Sequence, residues 1–113
     1  MSNLNNPVSN EEFEEILEER LQSIKDTLGL KAIEYVRNED RLHNFNVAAE
    51  IENHTREDVI WGMALKHFVS FKDMLYDIRN DAIPDEQTIN EKLGDLINYF
   101  ILIECSIKNK LNR

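Results

Sequence analysis

The sequence predicts an all-α fold, a four-helix bundle built as one domain. Three observations predict it. Apolar residues recur at three- and four-residue spacings over long segments, the period of one helix face. Helix-opening signatures precede those segments: Ser9 with Glu12, Thr55 with Asp58, and Asp85-Glu86. Only three Gly and two Pro occur in 113 residues, and nothing alternates in the manner of a strand.

The elements follow in order. Residues 1–8 are Asn-rich and contain Pro7, which reads as a loose N-terminal arm before a domain spanning 9–113. Ser9 and Glu12 form a capping box, and the acidic first turn suits the helix dipole. Phe13, Ile16, Leu17, Leu21, Ile24 and Leu28 then make an apolar stripe that ends near Gly29. The acids Glu11, Glu12, Glu14, Glu15, Glu18 and Glu19 read as the solvated face of this first helix.

Residues 30–39 are too short a pattern to separate a helical turn from an extended link. Asp40 can cap a short second helix from Arg41 to about Ile51, with Leu42, Phe45, Ala48 and Ala49 inward and Asn53-His54 closing it. Thr55 and Asp58 open a third helix that runs to about Arg79. The turn is at residues 80–84. Asp85 or Glu86 starts the fourth helix, which lasts to about Lys110. The two long helices should be central, burying Trp61, Leu65, Phe68, Leu75, Leu96, Phe100 and Ile103. They are apolar nearly all round, more than the first two helices can cover, which predicts a homo-oligomer.

Composition narrows the function. Hydrophobic residues make up 42% of the chain, enough for a core, and the net charge is −9. That charge disfavours nonspecific binding to nucleic acid or anionic membrane. It also means that a phosphate ligand needs local cations, for which a divalent metal is the usual device. Apolar runs fall short of the roughly 20 residues that a membrane span needs. Cys105 is the only cysteine, so no intrachain disulfide can form. A lone thiol in an apolar helix reads as an inert core residue in a reducing compartment. With no signal peptide in the polar first ten residues, the expected location is the cytoplasm.

The candidate site lies in the long helices. In residues 91–102, Glu91, Asp95 and Asn98 share one stripe of an otherwise apolar helix. Burying a bare carboxylate is costly unless it is paired, hydrogen-bonded or on a metal. In residues 61–75, Lys66, Ser70 and Asp73 form a second polar stripe with His67 beside it. Two inward polar stripes suggest a site in the bundle core. Glu91 and Asp95 repel each other if both are ionised, and Mg²⁺ between them reverses that. Their alternative is a solvated first turn. Asp95 should meet a polar group from the second or third helix, with Asp73, Lys66, Asp40 and Arg41 the candidates. Lys66 suits a phosphate or a stretched bridge to Asp73, and His67 suits a hydrogen-bonded core histidine. Arg41 and Asn44 share a polar face of the second helix. The histidines, His43, His54 and His67, lack the spacing of a helical zinc site. No Gly-rich phosphate loop, nucleophile elbow or CxxC is present.

Three stretches carry a resemblance: Asp40-Arg41-Leu42-His43-Asn44-Phe45 with Ala48-Ala49; Trp61-Gly62-Met63-Ala64-Leu65-Lys66-His67; and Glu91-Lys92-Leu93-Gly94-Asp95-Leu96-Ile97-Asn98-Tyr99. From about residue 30 to residue 107, the chain resembles small phage and prophage proteins related to the nucleotide modification associated domains. More distantly it is similar to the MazG-like all-α nucleoside triphosphate pyrophosphohydrolases. That resemblance implies a Mg²⁺-dependent nucleotide site in a MazG-like bundle, in the host cytoplasm if phage-encoded. Metal would sit on Glu91 and Asp95, with Asp73 or Asp40 completing the set. Arg41 and Lys66 would contact phosphate, His67 would lie beside them, and Asn44 and Asn98 would read base or sugar. The dense Glu-Glu-x-x-Glu motif of those enzymes has no good copy at the corresponding place, which leaves three readings. One is a pyrophosphohydrolase. Another is a non-catalytic module that sequesters a nucleotide signal or a host protein. The third is a structural oligomer whose inward polar stripes set helix register.

Overall fold

The computed structural model describes residues 5–29 and 40–111. Four helices run in the order α1 (Asn10–Leu28), α2 (His43–Glu52), α3 (Arg56–Arg79) and α4 (Glu86–Asn109). No strand element occurs among the described residues. Residues 5–8 of the expected arm are exposed and non-helical. The undecided segment 30–39 lies outside the described residues.

Local hydrogen bonds set most boundaries. Ser9 Oγ accepts the Glu12 N–H, Thr55 Oγ1 the Asp58 N–H, and Asp85 Oδ1 the Thr88 N–H. The α1 backbone ends on Gly29, whose N–H donates to Lys25 O at 2.8 Å. A Cβ at residue 29 would lie 2.3 Å from that same oxygen, so the turn needs glycine. Asn53 closes α2 in the left-handed conformation, at φ 55°.

The opening of α2 differs from the expectation. Leu42, not Asp40, is its N-cap residue. Asp40 Oδ1 takes the Leu42 N–H at 2.9 Å and Oδ2 takes Asn46 Nδ2 at 2.6 Å. The carboxylate therefore closes a turn ahead of the helix and delays its start to His43.

α3 and α4 form the central antiparallel pair, with α2 against α3 and α1 against α4. The pairs Arg56–Ser106, His67–Asp95 and Ser70–Lys92 fix their register. The buried apolar side chains are Leu42, Val59, Ile60, Ala64, Met74 and Leu96. Ile60, Ala64, His67, Ser70 and Met74 follow one face of α3 at helical spacing.

The expected core is corrected in part. Leu96 is buried and Phe68 and Ile103 are half-buried, but Trp61, Leu65, Leu75 and Phe100 are exposed. The physical reason is coverage. Each long helix buries one face on the other, while α2 is short and α1 buries none of its own residues. Cys105, expected in the core, is also exposed, one position round the helix from fully buried Ser106.

Candidate functional site

The antiparallel register puts a line of polar pairs along the α3–α4 seam. Lys92 Nζ donates to Ser70 Oγ at 2.6 Å. One turn further, His67 Nδ1 stands 3.2 Å from Asp95 Oδ2, and the His67 ring lies against Tyr99, centroids 5.2 Å apart. The Asp95 side chain is 51% exposed, so water shares in its solvation. The predicted polar partner from the third helix therefore exists, but it is His67 rather than Asp73, Lys66, Asp40 or Arg41.

Asp95 stands on the border between the faces of α4 that meet α3 and α1. On the α1 side a cleft of about 450 Å³ opens. Arg20, Ser23 and Thr27 of α1 face Glu91, Asp95 and Asn98 of α4 across it. Arg20 Nη2 donates to Asn90 O at 3.3 Å, which pins the guanidinium over Gly94. Glu91 accepts Gln87 Nε2 at 3.1 Å. Asn98 Oδ1 is buried and has no hydrogen-bond partner among the described residues.

The structure thus gathers Glu91, Asp95 and Asn98 at one cleft, with His67 behind Asp95. It does not gather the rest. Lys66 and Asp73 are exposed, because the α3 face that meets α4 runs through His67 and Ser70, a step round the helix. The inward stripe read from Lys66, Ser70 and Asp73 is corrected accordingly. Arg41 donates to the carbonyls of Leu28 and Gly29 at the end of α1, and Asn44 is exposed on α2. Asp40 is held through Asn46 and Arg56 at the level of Ser106. Ser106 is eleven residues beyond Asp95, roughly 16 Å along a helix. No three acidic, His or Cys side chains converge on one metal-sized site among the described residues.

Two features escaped the sequence reading. The first is Arg20, a guanidinium on the apolar side of α1. Its spacing of seven from Phe13 was a usable signal. The second is a polar cluster at the far end of the seam. Arg56 Nε donates to Ser106 Oγ at 2.7 Å, Arg56 Nη1 to Asn46 Oδ1 at 3.1 Å and Arg56 Nη2 to Asn109 Oδ1 at 3.2 Å. The Ser106 hydroxyl donates to Glu57, which also takes Lys110 Nζ at 2.7 Å. Lys110 and Ser106 together hold the Glu57 carboxyl below its ordinary range. Every charge here has a partner, so the cluster ties α2, α3 and α4 together.

No family model, no curated protein and no solved structure matches this chain. No helix among the described residues is long and apolar enough to cross a membrane.

Proposed function

We propose that this chain is a helical binding module that holds a nucleotide in the α1–α4 cleft without cutting it. The observation that carries the reading is one cleft with the Arg20 guanidinium on its α1 wall and Glu91, Asp95 and Asn98 on its α4 wall. A side-chain amide on the wall of such a cleft suits the edge of a base.

Arg20 supplies a fixed cation for a phosphate oxygen. Glu91 and Asp95, one turn apart, can hold one Mg²⁺, an ion that ordinarily takes one or two carboxylates and completes its shell with phosphate and water. Asp73 and Asp40 are not needed in that arrangement. The choice of a nucleotide follows the resemblance read in the sequence, for which no comparison supplies a match. Binding is favoured over hydrolysis because the chain carries no good copy of the dense Glu-Glu-x-x-Glu motif of the pyrophosphohydrolases.

The test is calorimetric titration of nucleoside mono-, di- and triphosphates with and without Mg²⁺, with products followed by chromatography. Mg²⁺-dependent binding with no pyrophosphate released is the expected result. Turnover would restore the hydrolase reading, and the absence of binding by any nucleotide would overturn the proposal.

A second reading has its own observation. Trp61, Leu65, Val69, Phe100 and Ile107 of the central helices are exposed. Apolar side chains of this size, uncovered in number, support self-association of the module. Light scattering that returns a monomer at micromolar concentration rejects it.

A further inference from the structure

The side of α3 turned away from α4 carries a seven-residue repeat. Trp61, Leu65, Phe68 and Leu75 follow one another at spacings of four, three and seven, and Lys72 stands at the step between the last two. Asp58 comes three residues before the repeat and Arg79 four residues after it. Alternating steps of three and four hold side chains on one narrow seam of a helix. The pairs His67–Asp95 and Ser70–Lys92 fix the other side of α3 on α4. The seam itself is open. Trp61, Leu65 and Leu75 are exposed, with Val69 and Tyr76 exposed at its edge, and Phe68 is half-buried. Asp58, Lys72 and Arg79 are exposed as well.

Charge is unevenly spread along this seam. Asp58 stands at its start, and Lys72 and Arg79 stand in its second half, with the Arg79 guanidinium over the Tyr76 ring at 5.8 Å. That polarity selects an occupant. A second copy of α3 laid antiparallel meets it end for end. With a two-fold axis at Phe68–Val69, each Asp58 is level with the partner's Arg79, and each Lys72 is level with the partner's Leu65. Both pairs are centred on the same point of the helix, so one axis serves both. The Lys72 stem can cover that leucine while its ammonium stays in water. A parallel copy would set Lys72 on Lys72 and Arg79 on Arg79, which like-charge repulsion opposes.

We infer that α3 is the dimer interface of this protein and packs antiparallel on α3 of a second copy. The inference rests on the self-association reading above and adds the helix, the direction and the register to it. Burial of Trp61, Leu65, Phe68 and Leu75 supplies the affinity, and the two Asp58–Arg79 pairs fix the direction. The α1–α4 cleft lies across α4 from this seam and stays open in the dimer.

The test is sedimentation velocity of the full chain over a concentration series, which yields the dimer dissociation constant. The 13.3 kDa chain should sediment as a dimer. Leu65→Glu, at an exposed position, should return it to monomer. Asp58→Arg and Arg79→Asp should each weaken the dimer by about tenfold, because one reversal spoils both symmetry-related pairs. The double variant Asp58→Arg with Arg79→Asp should restore it. Should the double variant lose helix content by circular dichroism, crosslinking decides. In a Cys105→Ser background, Val69→Cys beside the two-fold should form a covalent dimer with a short bis-maleimide, and Phe100→Cys on α4 should not. A monomeric parent chain overturns both this inference and the self-association reading. A dimer that keeps its affinity in Leu65→Glu, or that crosslinks through Phe100→Cys and not through Val69→Cys, leaves self-association standing and overturns the α3 interface. A folded double variant no tighter than the single ones overturns the antiparallel pairing.

Discussion

Arg20 lies across Gly94. The guanidinium is so close that a Cβ built on residue 94 would stand 2.8 Å from its Nη1. The glycine is a buried residue in the middle of α4, where alanine would ordinarily be the better helix former. Its use is to let the cation of α1 reach over α4 to Asn90 O and so stand in the cleft.

Gly94→Ala should accordingly separate stability from binding. The atom that must move is the far end of a flexible side chain, so the clash is relieved cheaply. Helix propensity favours alanine by about 1 kcal/mol. The melting temperature should hold or rise, while nucleotide affinity falls because Arg20 is displaced. Thermal denaturation and calorimetry on the same sample check both. A variant that melts earlier and binds normally would contradict the role given to Arg20.

Asn98→Leu should also stabilise the free protein. It removes a buried acceptor that has no partner and leaves an apolar side chain of similar size, worth about 1 kcal/mol. Ligand binding should be lost. Urea midpoints and titration measure this, and a destabilised variant would show that Asn98 is structurally satisfied.

Asp95→Asn keeps the shape and removes the charge. The pair with His67 is half in water, so its loss should change stability by less than about 1 kcal/mol. Mg²⁺-dependent nucleotide binding should disappear. If binding persists with Mg²⁺ dependence unchanged, the metal does not sit on Asp95.

Ser106→Ala tests the other end of the seam. Its hydroxyl accepts from Arg56 and donates to Glu57, both charged, so the fold should lose about 2 kcal/mol. Asn44→Ala, on the exposed side of α2, should change little. The same cluster sets an acid limit. Glu57 is held below its ordinary value of 4.5 by Lys110 and Ser106. A lowered folded value means that the unfolded chain binds the proton first on acidification. The stabilisation is therefore full above the ordinary carboxylate range and is lost as the pH falls through the folded value. Urea midpoints between about pH 6 and about pH 3 should fall less steeply in Ser106→Ala than in the parent. Equal slopes would remove the Ser106 hydroxyl from the account and leave Lys110 as what holds Glu57 down.

The helices and most of their ends were legible in the sequence because their determinants are local. Ser9, Thr55 and Asp85 each cap through a hydrogen bond three residues along, and Asn53 turns the chain at the end of α2. Glu91, Asp95 and Asn98 share a face for the same reason, since helical spacing places them there. The tertiary structure alone decided which face meets which neighbour. Periodicity gives the angle between residues of one helix but not the direction of the next helix, so Lys66 and Asp73 turned outward while His67 met Asp95. It also could not show how much apolar surface α1 and α2 would leave open at Trp61, Leu65 and Phe100. Arg20 over Gly94 and Arg56 against Ser106 join residues 74 and 50 positions apart. Such contacts depend on the register between helices, which only packing sets.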